Sequence, residues 1–129
     1  MTGRAMTNPQ RILLVDDDPA VRSSLAFALE LEDFQVETFE TGELLAERGL
    51  LPDDACLVLD YKLPGLDGLS LLRQLRANGA RLPAVLITSN PPERLRRATV
   101  AAGAALIEKP LLCDALSRSI RSLIDTAHG

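Results

Sequence analysis

The chain is poor in several features that would each announce a function. No apolar run approaches the roughly 20 residues that cross a bilayer, and the opening Met1 to Gln10 is polar, without the apolar core of a signal peptide. Such a chain reads as cytoplasmic, with no membrane partner. Cysteine is scarce: Cys56 and Cys113 form neither a disulfide framework nor a metal-ligand spacing. Cys56 opens an apolar run and reads as a small buried hydrophobe. Histidine is scarcer still. His128, one residue from the C-terminus, reads as a tail residue, which excludes a Ser-His-Asp triad and other histidine-dependent catalysis. Basic residues are outnumbered, 14 Lys and Arg against 18 Asp and Glu, for a net charge of −4. That balance suits no general nucleic-acid binder, because phosphate contacts need clustered cations. The charge is uneven, however, and the basic C-terminal third offers a protein-docking face.

What remains is an ordinary globular composition over 129 residues, enough for one domain with a real core. Residues 1–10 read as a flexible lead-in and residues 11–126 as the domain. Arg11 to Val15 predicts a buried strand that stops at Asp16-Asp17-Asp18-Pro19. There Asp18 can cap a helix and Pro19 suits its first position. Val21, Leu25, Ala28 and Leu29 repeat at helical spacing. Phe34 to Phe39 alternates as a half-buried strand, and Thr41 can cap a short helix ending near Gly49. Leu57-Val58-Leu59-Asp60 is a central apolar strand running into a Pro/Gly loop. Asp67 can cap a helix with Leu69, Leu72 and Leu75 inward, terminated at Asn78-Gly79. Pro83 to Thr88 is a fourth strand. Pro91-Pro92 opens a helix through Leu95, Ala98 and Ala102, ended by Gly103. Ala104 to Glu108 is a fifth strand, and a last helix from about Leu112 turns Leu116, Ile120, Leu123 and Ile124 inward. Strict alternation with near-continuous apolar strands predicts an α/β fold, a five-stranded parallel sheet with helices on both faces.

In that architecture all strand carboxyl ends share one edge, where ligands bind. Strand 1 delivers Asp16 and Asp17 there, strand 3 Asp60, strand 4 Thr88 and strand 5 Lys109. Clustered carboxylates repel by about 4 kcal/mol per pair at about 4 Å and an effective dielectric near 20. A hard divalent cation offsets this, and Mg²⁺ takes one or two carboxylates plus waters and phosphate. Lys109 adds a fixed positive charge and Thr88 a hydroxyl. The group these parts suit is a phosphoryl group carried by Asp60 as an acyl phosphate. Neutralising Asp17 in the metal-free protein should then relieve repulsion and raise the melting temperature.

Val15-Asp16-Asp17-Asp18, Leu59-Asp60 with Leu63-Pro64-Gly65 and Gly68, Ile87-Thr88-Ser89, Ala102-Gly103-Ala104 and Glu108-Lys109-Pro110 together resemble a response-regulator receiver domain of two-component signalling, in the chemotaxis-regulator superfamily and similar to the nitrogen-fixation regulators. The resemblance runs from residue 11 to about 125. It implies a doubly wound, flavodoxin-like sheet of order 2-1-3-4-5. It also implies Asp60 as phospho-acceptor, Asp17 as a direct Mg²⁺ ligand, Asp16 acting through water, and the backbone carbonyl of Lys62 as third protein ligand. Thr88 resembles the switch hydroxyl and Lys109 the phosphoryl-binding lysine, followed by a cis bond to Pro110. The implied phosphodonor is a sensor histidine kinase or phosphotransfer protein, and the implied target docks on the fourth helix, fifth strand and fifth helix. Such a domain is a Mg²⁺-dependent signalling module rather than an enzyme, a monomer or a phosphorylation-dependent dimer. Two departures stand out: Leu106 replaces the usual Tyr or Phe three residues before the lysine, and the Gly103–Lys109 segment is one residue short. Both predict weak or rerouted coupling to the outer face, with Leu106 packed inward in either state. Dehalogenase-type phosphatases want a second Asp where Lys62 stands. A pseudo-receiver would have lost an acid or the lysine, and none is lost. With no output domain after residue 129, a stand-alone receiver and the N-terminal half of a DNA-binding transcriptional regulator both remain open.

Overall fold

The computed structural model describes residues 10–52, 54–109, 111 and 115–128. The chain alternates strictly: β1 (Arg11–Val15), α1 (Pro19–Leu31), β2 (Gln35–Phe39), α2 (Gly42–Glu47), β3 (Ala55–Asp60), α3 (Gly68–Ala77), β4 (Ala84–Thr88), α4 (Glu93–Ala101), β5 (Ala105–Glu108) and α5 (Ala115–His128). All strand pairs are parallel, in the order β2-β1-β3-β4-β5. Residues 1–9 of the lead-in expected over residues 1–10, the Lys109–Pro110 bond, Leu112 and Cys113 lie outside the described residues. Gln10 is already tied in, its carbonyl accepting from the Gln35 amide at 2.8 Å.

Three helix starts follow from their caps. Asp18 Oδ1 accepts from the amides of Ala20 and Val21, Thr41 Oγ1 from Leu44, and Asp67 Oδ1 from Ser70. Each cap stands at the strand-to-helix turn on the carboxyl edge, so these side chains set where the helices leave the sheet.

Successive strand residues point to opposite faces, and the core divides accordingly. Leu13, Val15, Leu57, Leu59 and Leu86 pack with Leu45, Leu71, Leu72 and Leu95 of α2, α3 and α4. Ile12, Leu14, Val58, Val85 and Ile87 pack on the other face with Leu29 of α1 and Leu116, Ile120 and Ile124 of α5. Truncating one of the fully buried leucines to Ala would cost about 2–5 kcal/mol. On α1 the expected stripe is only partly covered. Leu29 is buried and Leu25 half-buried, while Val21 and Ala28 are exposed: Ala28 borders a groove of about 370 Å³ between α1 and the start of α5, and Val21 borders another beside the carboxyl edge. The backbone of α5 stays helical as far as His128, which is therefore a last-turn residue rather than a tail. No helix-breaking residue stands between Ala115 and His128.

Cys56 is fully buried in β3, and burial pushes its thiol up to about 12 from an ordinary 9.0. A raised folded value means that the neutral thiol stabilises the fold below about pH 9 and that this contribution is lost as pH rises through about 12. In a Cys113→Ser variant at pH 8, a disulfide reagent is therefore expected to find no reactive thiol until denaturant is added. Stoichiometric labelling of the native variant would contradict that packing.

Candidate functional site

The parallel ladder brings four strand ends to one edge. Val15 pairs with Leu59, Asp60 with Ile87, and Thr88 with Glu108, so the residues just beyond β1 and β5 meet the last residue of β3. Asp60 closes β3 and is 7% exposed, while Asp16 is 3% exposed. Asp17 is exposed. Each of the three offers a carboxylate oxygen within 4.8 Å of the others. Lys109 Nζ approaches Asp60 Oδ1 at 3.5 Å, and the Lys109 amide donates to the Thr88 carbonyl at 2.8 Å. Thr88 itself is buried at the end of β4. Lys62 is exposed, two residues past Asp60 in the loop that follows β3.

Burial governs the charge state of the cluster. Desolvation raises the carboxyl of Asp60 above its ordinary value, opposed by the Lys109 ammonium and the Lys62 backbone amide and reinforced by Asp16. Asp16 is likewise raised by burial, against the Asp18 amide that donates to its Oδ1 at 2.9 Å. The repulsion expected of three crowded acids therefore falls on the buried pair, Asp16 and Asp60. Asp17 faces water, which screens it, so neutralising it should raise the melting temperature less than neutralising either buried partner.

Four further details escaped the sequence reading. Arg22 of α1 donates to the Asp16 carbonyl at 2.7 Å, holding the acid turn from behind. Gly68, at the start of α3, lies against the Asp60 carbonyl: a Cβ there would stand 2.4 Å from that oxygen. Asn90, two residues past Thr88, has φ of 44°, a backbone region that Asn tolerates better than most residues. A groove of about 560 Å³ opens beside the cluster, lined by Val21 and Leu25 of α1, Ser89 and Asn90, and also Asp16 and Lys109. Only the Asn and Gly identities carried any signal of this in one dimension.

Three hard oxygen donors within reach of one another suit a divalent cation of the Mg²⁺ or Ca²⁺ type rather than a soft metal. Among the described residues no helix is long and apolar enough to cross a membrane.

The family model for the response regulator receiver domain matches residues 12–121. The chain is 34% identical over 110 residues to the transcriptional regulatory protein FixJ of Azorhizobium caulinodans, covering 84% of this chain and 52% of that protein. It is 35% identical over 116 residues to the C4-dicarboxylate transport transcriptional regulatory protein DctD of Pseudomonas aeruginosa, covering 89% of this chain and 25% of that protein. The chain thus spans about half the length of the first of these relatives and a quarter of the second. Among solved structures, full-length FixJ from B. japonicum superposes with a TM-score of 0.81 at 35% identity, over 94% of this chain and 60% of that one. A receiver domain protein from Methanospirillum hungatei gives 0.82 at 28% identity, over 93% and 97%. With the sheet order, the acid cluster at its carboxyl edge and the family match in agreement, the chain belongs to the response-regulator receiver domains of two-component signalling.

Proposed function

We propose that Asp60 of this receiver accepts a phosphoryl group from a sensor histidine kinase or phosphotransfer protein. The observation that carries the reading is the setting of Asp60, a buried strand-end carboxylate with an ammonium at 3.5 Å and two more acids in reach. In the transfer, an Asp60 oxygen bonds to phosphorus while the bond from phosphorus to the donor imidazole nitrogen breaks, and that nitrogen leaves with the electron pair. Lys109 neutralises charge on one phosphoryl oxygen and the Thr88 hydroxyl donates to another. Asp17, Asp60, the Lys62 carbonyl and, through water, Asp16 would hold Mg²⁺. When bound, that ion supplies the charge neutralisation that the phosphoryl oxygens and the acids both need.

The domain so defined comprises residues 11–126. It is a cytoplasmic signalling module that phosphorylates and dephosphorylates itself, not an enzyme with a separate substrate. It passes the signal to a protein target through the α4/β5/α5 face, without contacting nucleic acid itself, as a monomer or a phosphorylation-dependent dimer. A second reading, the receiver portion of a DNA-binding transcriptional regulator, is supported by the names and greater lengths of the relatives.

A small phosphodonor such as acetyl phosphate is expected to label the chain at Asp60 in the presence of Mg²⁺ and not with chelator, as read by peptide mass spectrometry. Asp17→Asn should need roughly tenfold or more Mg²⁺ for the same labelling, an effect of the size seen when a metal site is impaired. Labelling elsewhere, or labelling indifferent to Mg²⁺, would refute the assignment.

A further inference from the structure

Arg76 stands in the last turn of α3, and its guanidinium is spent on backbone carbonyls. Nη1 donates to Leu82 at 2.6 Å and Ala80 at 3.3 Å, Nε to Ala102 at 3.1 Å, and Nη2 to Gly103 at 3.1 Å. Among the described residues no carboxylate pairs with it. One side chain therefore joins the end of α3 and the loop entering β4 to the turn between α4 and β5. That turn is where a cation belongs. Ala102 is the C-cap of α4, Gly103 follows with φ of 74°, and α4 has no basic residue in its own last turn. The carbonyls at a helix C-terminus are its negative end, and here the cation comes from a neighbouring helix. Burial lowers the pKa of Arg76, as expected of a partly desolvated guanidinium.

The two ends of α4 are held very differently. At the N-terminal end Pro92 is the N-cap, with no side-chain hydrogen bond, and Asn90 sits at positive φ just beyond Thr88. In the first half of α4 Arg96 reaches Glu108 of β5 at 2.9 Å, but that pair is half exposed and restrains the helix little. Leu106 is packed against the buried cluster on the α3 and α4 side of the sheet. The connection from Gly103 to Lys109 has only five residues between its ends.

We propose that Arg76 is the fixed point of the α4–β5 corner, so that a phosphoryl group at Asp60 displaces the Ser89–Glu93 end of α4 and leaves the Val100–Leu106 corner in place. The inference rests on the proposed phospho-acceptor role of Asp60. To shift the corner, the half-buried guanidinium would have to give up its bonds to the Ala102 and Gly103 carbonyls, and bonds from a charged donor are worth more than neutral ones. Among the described residues no comparable set of bonds restrains the other end. Arg76 acts through the backbone and touches no reacting group, which makes it a positioning residue.

The test compares amide chemical shifts of the full chain with and without beryllofluoride and Mg²⁺, in wild type, Arg76→Met and Arg76→Lys. Met keeps the apolar stem and loses every donor. Lys keeps the charge but cannot span both sides with a planar fork, and serves if the Met variant does not fold. Wild type should show large shifts at Asp60, Thr88 and Asn90 and small ones from Val100 to Leu106. In the variants the large shifts should spread to that corner. Comparable shifts at the corner in wild type, or an unchanged map in the variants, overturn the proposal. No shift at Asp60 and Thr88 in wild type overturns the phospho-acceptor reading and this inference with it. Hydrogen exchange without the mimic gives a separate reading. Protection of the Ala102, Gly103 and Ala104 amides should fall about tenfold in Arg76→Met, the worth of a hydrogen bond or two, while β3 amides keep theirs. Unchanged protection at those three amides also overturns it.

Discussion

Asp60→Asn is expected to lose the phosphoryl adduct completely while melting, free of metal at neutral pH and low ionic strength, at a higher temperature than wild type. The first effect follows from the nucleophile. An amide oxygen carries no negative charge to place on phosphorus, and no other carboxylate of the cluster closes a strand beside Lys109. The second follows from the sign of the carboxyl shift. Asp60 is raised in the folded protein, with burial the largest cause and the Lys109 ammonium only partly opposing it. A raised carboxyl binds its proton more readily folded than unfolded, so its stabilising contribution is present below the unfolded value and lost as pH rises through the folded one. At pH 7 the folded chain thus bears the cost of a buried anion that a neutral isostere of equal shape does not. Intact-mass measurement with acetyl phosphate and Mg²⁺ checks the first effect, and a thermal melt in chelator the second. An adduct retained by the variant, or a lower melting temperature, would contradict the reading of Asp60 as a buried, charge-strained acceptor.

Gly68→Ala should be the most damaging single methyl that can be added near the site. A Cβ at Gly68 would lie 2.4 Å from the Asp60 carbonyl oxygen, 3.0 Å from its carbon and 2.8 Å from Leu86 Cδ1. The obstacle is mainly backbone, and it is pinned. The Gly68 amide donates to the Tyr61 carbonyl at 2.9 Å, and the Tyr61 amide donates to Ile87 at 2.8 Å. Relief requires α3 to back away from β3, opening its contacts through Leu71 and Leu72. Overpacking of this kind costs about 3 kcal/mol, equivalent to a fall in melting temperature on the order of 10 °C for a domain of this size. Because the strained atoms include the Asp60 backbone, phosphoryl labelling should slow as well. A Gly79→Ala control meets a positive φ, which Gly68 does not have, but no atom lies within 4 Å of its Cβ, so its loss should be smaller and should leave labelling intact. A Gly68→Ala protein as stable as wild type would mean that the turn into α3 is far looser than these distances require.

Much of this was legible in one dimension because the controlling physics is local. A strand buried on both faces must be apolar at every position, and β1, β3 and β4 announce themselves that way. The caps Asp18, Thr41 and Asp67 read correctly because a cap bonds to an amide within three residues of itself. Asp16, Asp17, Asp60 and Lys109 were placed on one edge because each ends or follows a strand, and parallel strands end on the same side. Where the reading fell short, contacts distant in sequence decided. Val21 and Ala28 follow helical spacing, yet the groove beside the acid cluster leaves the first exposed and the groove between α1 and α5 the second. The three acids look equivalent as letters, but two are buried and one is not.

The sequence alone determined the alternation of strands and helices, the two-faced sheet, the receiver family and the identity of the acids and cation that gather at the carboxyl edge. These depend on periodicity and on what ends a strand. Only the tertiary structure decided how charge is distributed over that edge, which glycine is irreplaceable, and that Arg76 grips Ala102 and Gly103, 26 and 27 residues away. Desolvation, steric contact and hydrogen bonding act over a few ångströms of space whatever the separation along the chain, and that spacing exists only once the helices are packed on the sheet.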